Sequence, residues 1–588
     1  MKEIPMDRKQ LIDVAMGRIK ADLILYRAQI LNVYSGEVLN GEVWVKNGFI
    51  AHVDYHEDIE PRGQALHTID CGGKFLIPGL IDAHVHIESS MLSPRRFAEI
   101  VLPWGTTSVM TDPHEIANVM GVRGVEYMHD SALDLPMRIF IHVPSCVPSV
   151  VGLEHAGAEF TTKEINHLYG LSNVIGLAEV MDYIGIIENE DRMHSILEHA
   201  MGKGKFIQGH APFLEGQMLS AYRLGGPESC HESRSSKEAV DKIRVGLFVD
   251  ARESSISRNV KDIYAGVKDF RYFDRLTLCT DDREPEDILT EGHMNDVVNK
   301  IIEAGMHPID AIRSATYNTA RQIGREDLGA IAPGCVADFV LTEQLSNIQP
   351  EMVFVSGKLV AENGHLITPI ETKEYPIESE NSIKLKKLEL DDFKIKLPIQ
   401  NGFLKVNVIK YESHKFSNTT VEVEELEVID GELVLDDNLN WVAIFNRHGK
   451  DNHAIHLVRN FGTKSGAIAS TISHDSHNLT IVYHDAKDAY QAYVQLNAVK
   501  GGMCAIYNNE IQTLALPLAG LMTNRPAIDH IHDVNQMKAL MRKMGLVEIE
   551  NPLLRIVTLA LIVIPYAKMS DLGCVDVIHK TFIPLFVD

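Results

Sequence analysis

The chain has little of what would send it to nucleic acid, to a membrane or to an oxidising compartment. Its 56 lysines and arginines are outnumbered by 81 aspartates and glutamates, and a net charge of -25 leaves no basic excess to neutralise phosphates. Cysteine is sparse: seven residues, odd in number, scattered and without a C-x-x-C pair. That pattern suits reduced thiols and a cytoplasmic location. The first residues, Met1 to Arg8, are polar and lack a signal-peptide core. No apolar run approaches the ~20 residues a membrane helix needs, and the longest late one, Ile556 to Ile564, reads as core. Neither G-x-x-x-x-G-K-[ST] nor G-x-G-x-x-G occurs, so nucleotide phosphates have no evident cradle. There is no internal repeat and no low-complexity tract. What remains is a globular composition, 45% hydrophobic and 23% charged. At 588 residues the chain exceeds a single core, so two or three domains are expected.

The informative stretch runs from Lys74 to Glu88. Its apolar residues Phe75, Leu76, Ile77, Leu80 and Ile81 are broken by Pro78-Gly79, and it ends in His84-Val85-His86. Side chains alternate faces along a strand, so His84 and His86 point the same way. Two imidazoles converging at a strand end are half of a metal site. The spacing alone is weak evidence among 27 histidines, and His530-Ile531-His532 repeats it without an apolar strand before it.

Around this stretch the pattern is regular. Residues 7–18 have a helical pattern, followed by short strands at Ala21–Tyr26, Gln29–Val33, Gly41–Val45 and Phe49–Val53, with Asn47-Gly48 as a hairpin turn. Between about 75 and 325 strands alternate with helical stretches, which predicts a parallel α/β arrangement. After the first strand come Thr107–Asp112, Arg138–Val143, Asn173–Glu179, Lys205–His210, Ser229–His231, Arg244–Asp250 and Arg275–Asp281. Eight strands match a (β/α)8 TIM-type barrel, whose chemistry sits at the strands' C-terminal ends. The expected layout is a helix and the first part of a small β-domain (1–74), the barrel (75–325), and the second part of the β-domain (326–365). A polar connector (366–394) and a C-terminal α+β domain (395–588) follow.

The candidate metal ligands are His84, His86, Glu179, His210, His231 and Asp281, each at the end of a predicted strand. Four imidazoles and two carboxylates exceed what one four-coordinate ion uses, so a pair of divalent ions fits better, with Glu179 able to bridge them. Singly, Glu179 and Asp281 also read as helix caps and His210 as a core histidine. Their joint placement is what points to a metal-dependent hydrolase.

The Pro-Gly-Leu-Ile-Asp-Ala-His-Val-His segment resembles the first barrel strand of the amidohydrolase superfamily. Gly176-Leu-Ala-Glu-Val-Met-Asp182 is similar to the adenine deaminase family, as are Thr111–Asn118, Gly209–Pro212, Leu278–Arg283, Asp327–Gly334 and His474–Asn478. Cyclic-amide hydrolases of the superfamily place a lysine at the fourth strand, where this chain has Glu179. The resemblance runs from about residue 10 to nearly the C-terminus. It implies hydrolytic deamination of adenine to hypoxanthine and ammonia, with two divalent ions (Mn2+ or Fe2+ first, Zn2+ as an alternative), a nucleobase as substrate and a homo-oligomer. Asp281 would carry the proton to the leaving ammonia, and Glu115 or Glu232 would protonate the ring. Asp112, His114, Asn118, Arg283 and His293 are further pocket candidates, and His474 and His477 would bring the C-terminal domain over the barrel mouth. The chain departs from the family pattern at Phe213, Cys230, Glu284 and Tyr483-His484. Alternatives on the same site are deamination of another amino-heterocycle, cyclic-amide hydrolysis, or metal-dependent binding without turnover.

Overall fold

The computed structural model describes residues 6–412, 418–549, 551–564 and 566–587. A helix, Arg8–Ala15, is capped by Asp7, whose carboxylate accepts from the backbone N–H groups of Lys9 and Gln10. The next strand is a single element, Ala21–Asn32, where the sequence reads as two. Arg27 takes a left-handed backbone (φ 54), and the register against the partner strand shifts there, so one strand bends without ending. Asn47 (φ 49) and Gly48 (φ 82) make the tight turn between Glu37–Lys46 and Phe49–Tyr55.

These strands join a nine-stranded sheet that draws on both sides of the barrel region in sequence. Phe75–Pro78 belongs to it, pairing with Ala21–Asn32 on one edge and Phe339–Thr342 on the other. The chain leaves that sheet at Gly79, where any Cβ would lie 2.4 Å from the Thr107 hydroxyl, and enters the first parallel strand, Leu80–Val85. The apolar stretch around the motif therefore divides between two sheets.

Two parallel sheets carry the site. One has five strands in the order Phe206–Gly209, Val174–Val180, Arg138–Val143, Thr106–Thr111 and Leu80–Val85; the other has three, Ser229–Cys230, Phe248–Arg252 and Leu276–Cys279. Helices intervene along the chain, and the strands are buried on both faces, as parallel strands under helical cover must be. A parallel bridge between Val85 and Asp281 joins the two sheets on one side, where the Asp281 N–H donates to the His84 carbonyl (2.9 Å). On the other side the Glu228 N–H donates to the Ile207 carbonyl (2.8 Å). The seventh strand lies later than the expected Arg244–Asp250. Ser235 caps a helix over Ser236–Arg244, and the strand begins at Phe248.

The C-terminal region builds a second nine-stranded sheet between helices Ala486–Ala498 and Ala527–Lys543, with a three-stranded sheet from Ala567 to Ile583. The segment 366–394 spans the two parts: Tyr127 of a barrel helix donates to Glu378 and Arg123 pairs with Glu380, while Leu388 and Phe393 pack into the C-terminal core. Among the described residues no helix is long and apolar enough to cross a membrane.

Candidate active site

His84 and His86 leave the first parallel strand with their tautomers fixed by neighbours. The Gln208 amide N–H2 donates to the Ala83 carbonyl (2.9 Å), so its oxygen accepts from His84 Nδ1 (3.0 Å). His86 Nδ1 donates to the Asp112 carbonyl (3.0 Å). Both Nε2 atoms therefore carry lone pairs, yet they lie 3.1 Å apart in a fully buried setting. Two facing lone pairs call for a cation between or beside them, and outer partners of this kind orient histidine ligands in metal sites.

Glu179, at the end of Val174–Val180, reaches in both directions from this pair. Its Oε1 lies 3.5 Å from His86 Nε2 and 3.5 Å from His114 Nδ1, while Oε2 lies 2.5 Å from His210 Nδ1 and 3.1 Å from His231 Nε2. Burial pushes this carboxyl up, but His210 and His231 outweigh it and hold the group well below the usual carboxylate range. Asp281 Oδ1 faces His86 (3.3 Å) and His84 (3.6 Å), and its Oδ2 is gripped by the Arg252 guanidinium. Burial raises the Asp281 carboxyl too, and the Arg252 guanidinium outweighs it and keeps the group well below its ordinary value. Three buried groups of ligand atoms result: His84, His231 and Asp281; Glu179, His210 and His231; and His86, Asp112, His114 and Glu179. The six strand-end residues fit a pair of divalent ions, with one Glu179 oxygen directed to each side.

Asp112 and His114 stand closer to this centre than the sequence indicates. Asp112 Oδ1 accepts from the His114 N–H (3.1 Å) and Oδ2 from the Glu179 N–H (3.3 Å). The ring of His114 bridges outward, its Nε2 lying 3.4 Å from Glu115.

Glu115 is where the C-terminal domain enters. His474 Nδ1 lies 2.5 Å from its Oε1, and His477 Nε2 donates to Oε2. The Ser473 N–H donates to His477 Nδ1 (3.2 Å), which puts the imidazole proton on Nε2 and makes His477 a donor to Glu115. Arg447, fully buried, donates to the His477 carbonyl, the Ser382 hydroxyl and the Ala519 carbonyl, and this ties the 474–478 loop to the rest of the C-terminal region. A cavity lies between the two parts, lined by Glu88, Glu115, Asp282, Glu284, His474 and His477 among the polar groups. Ile472, Leu521, Leu553 and Val557 supply apolar walls. An apolar cavity with a few converging polar groups is the usual form of a small-molecule site.

Residues 75–360 match the Amidohydrolase family, and residues 417–581 match the Adenine deaminase C-terminal domain. "Adenine deaminase 2" of Carboxydothermus hydrogenoformans is 36% identical over 584 residues, covering 98% of this chain and 99% of that one. The adenine deaminase of Moorella thermoacetica is 35% identical and covers 98% of each. That of Serratia proteamaculans is 37% identical over 91% of this chain and 89% of its own. This chain belongs to the adenine deaminase family.

The departures from the adenine deaminase pattern fall in several places. Cys230 is fully buried, its sulfur accepting from the Ala211 N–H (3.3 Å). Phe213 is exposed, in a left-handed backbone (φ 62) of the kind that suits glycine, with its ring against Arg234. Tyr483 is buried and donates to the Phe393 carbonyl in the C-terminal core. Glu284 does line the cavity, but Lys538 Nζ and Asn551 Nδ2 hold its carboxylate.

Other sequence candidates are not brought to the cavity. Arg283 is tied to the Glu253 carbonyl, Glu291 and Asp296. Asn118 donates to the His114 carbonyl within its own helix (3.0 Å). His293 bonds Thr106 inside the parallel strands, and Glu232 is paired with Arg252 at 2.7 Å. Conversely, the sequence reading passed over Gln208, Arg252, Glu88 and Asp282. Arg252 ends the seventh strand as the metal candidates end theirs, and Gln208 lies two residues before His210 along its strand, so strand-end position and period two were their signals; Glu88 lies in the 3-10 turn Ile87–Ser90, where strand alternation gives none.

Proposed function

We propose that this chain hydrolyses adenine to hypoxanthine and ammonia, with water as co-substrate. Glu179 carries the reading: one buried carboxylate placed between two sets of imidazoles, in a chain related over nearly its whole length to proteins named adenine deaminase. The two parallel sheets act as one closed (β/α)8 barrel, with the flanking β-domain and the C-terminal domain as separate layers. His84, His86, Glu179, His210, His231 and Asp281 hold the ions, with His114 and Asp112 beside them. The nitrogen and carboxylate donor set, without thiolate, suits Mn2+ or Fe2+ as well as Zn2+. Two such ions supply a water acidified to near neutral pH.

The chain's own residues do the rest. Arg252 occupies Asp281 Oδ2, which leaves Oδ1 to take a proton from the attacking water and deliver it to the departing amine, help worth ~10²–10⁴-fold. Glu115 rather than Glu232 handles the ring nitrogen, because Glu115 lines the cavity and Glu232 does not. His474 and His477 keep Glu115 aimed. All seven cysteines are free and buried, which supports a reducing, cytoplasmic setting.

The test is ammonia release by protein reconstituted with Mn2+ or Fe2+, on adenine first and then on other aminopurines and cytosine. Hypoxanthine formed together with ammonia from adenine is the expected result. Ammonia from another base and none from adenine would move the substrate. Ring opening without ammonia would replace the reaction with cyclic-amide hydrolysis.

A further inference from the structure

The cavity has four carboxylates, and three of them are already taken. Glu115 receives His474 and His477, Asp282 Oδ1 receives the Ser89 hydroxyl (2.5 Å), and Glu284 receives Lys538 and Asn551 (2.6 Å). Glu88 differs. Its Oε1 accepts from the Ile116 N–H (3.3 Å), but among the described residues lining the cavity its Oε2 is the one buried side-chain oxygen or nitrogen without a hydrogen-bond partner. The side chain is only 4% exposed, so water does not readily compensate it. A buried acceptor left open in a cavity wall marks where a ligand's donor goes.

We infer that Glu88 selects a free nucleobase by accepting the N–H of its imidazole ring. The inference rests on the deaminase reading for the kind of base. A free purine has one such N–H, on N7 or N9. In a nucleoside the sugar replaces it, and a buried carboxylate then meets no donor, a mismatch that polar sites reject strongly. The Ile116 N–H makes the requirement one-sided. An amide at position 88 must turn its oxygen to Ile116 and so presents N–H2, a donor, to the cavity.

Binding of unsubstituted purine separates this from the deaminase reading, because purine carries the ring N–H but no amine to release. Calorimetry on the metal-loaded full chain would compare purine with 7-methylpurine and 9-methylpurine. Both isomers lack the N–H, yet each places its methyl group differently, so simple crowding penalises at most one of them. Purine is expected to bind about 10–100-fold tighter than both, the worth of a charge-assisted hydrogen bond. In Glu88→Gln purine loses that factor, and its preference over the uncrowded isomer falls to below about threefold. Equal binding of either isomer and purine to the unmodified protein would overturn the inference, as would no purine binding or a Glu88→Gln protein that keeps the original preference. The comparison on the unmodified protein stands even if the variant misfolds. Failure of adenine to yield ammonia would sink the deaminase reading and leave this result unaffected.

Discussion

Lys538 gives the most direct test of how the C-terminal domain is held over the cavity. It lies on the helix Ala527–Lys543, and its ammonium donates to both Glu284 and Glu286 of the barrel region. The side chains are 10%, 8% and 13% exposed, so the triad is largely out of water. Lys538→Met keeps the stem and removes the charge, leaving two adjacent buried carboxylates. Removing one partner of a buried pair costs ~3–5 kcal/mol. Burial pushes Glu284 up to about 7, against the pull of Lys538 and with help from Glu286, so in the variant this carboxyl can take a proton instead of remaining an unpaired charge. The lower end, ~3 kcal/mol, is therefore expected, or roughly a 10²-fold change in an opening equilibrium. Because a chain of several domains need not unfold in one step, the readout is native-state hydrogen exchange across Ala527–Lys543, not a single melting curve. Adding Glu284→Gln to Lys538→Met should restore part of the loss, with a coupling of ~1.5 kcal/mol or more. Exchange within about threefold of the unmodified protein, or a double variant no better than the single, would refute the reasoning.

Two further expectations concern the site. Glu179→Gln places an amide nitrogen where one carboxylate oxygen served, so bound metal should fall from two equivalents toward one or none, with activity lost and circular dichroism unchanged; elemental analysis retaining two equivalents would remove Glu179 from its bridging role. Burial lowers the His474 imidazole, but Glu115 prevails and raises it from 6.5 to about 9. A raised folded-state value means the His474–Glu115 contact contributes in full below about 6.5 and fades as pH rises through about 9. Hydrogen exchange in the loop around residues 474–478 should accordingly speed up between pH 7 and 10 after correction for intrinsic rates, and a flat profile would contradict it.

The strand-end logic made the candidate metal ligands readable from sequence because each sits where an apolar run stops, and period two fixes which residues share a face. The alternation of parallel strands with helices was readable in the same way. Pairings between distant segments were not readable. Nothing local in Lys538 says that it meets Glu284, 254 residues away, and nothing near Arg252 announces Asp281. The choice between Glu115 and Glu232 turned on such a pairing, since both follow a strand end and only the fold assigns one to the cavity and the other to Arg252. The bent strand at Arg27 was read as two because a left-handed residue looks like a turn when its neighbours' hydrogen bonds cannot be seen.

The grip of His474 and His477 on Glu115 also sets an order of events during synthesis. The metal ligands end at Asp281, so a growing chain has the whole set in hand long before the ribosome reaches the histidine loop. Glu115 is made early with them, but it has neither histidine partner until the late segment folds back onto it. The candidate ligand set and the histidine-held carboxylate are thus completed at different moments in the life of the chain.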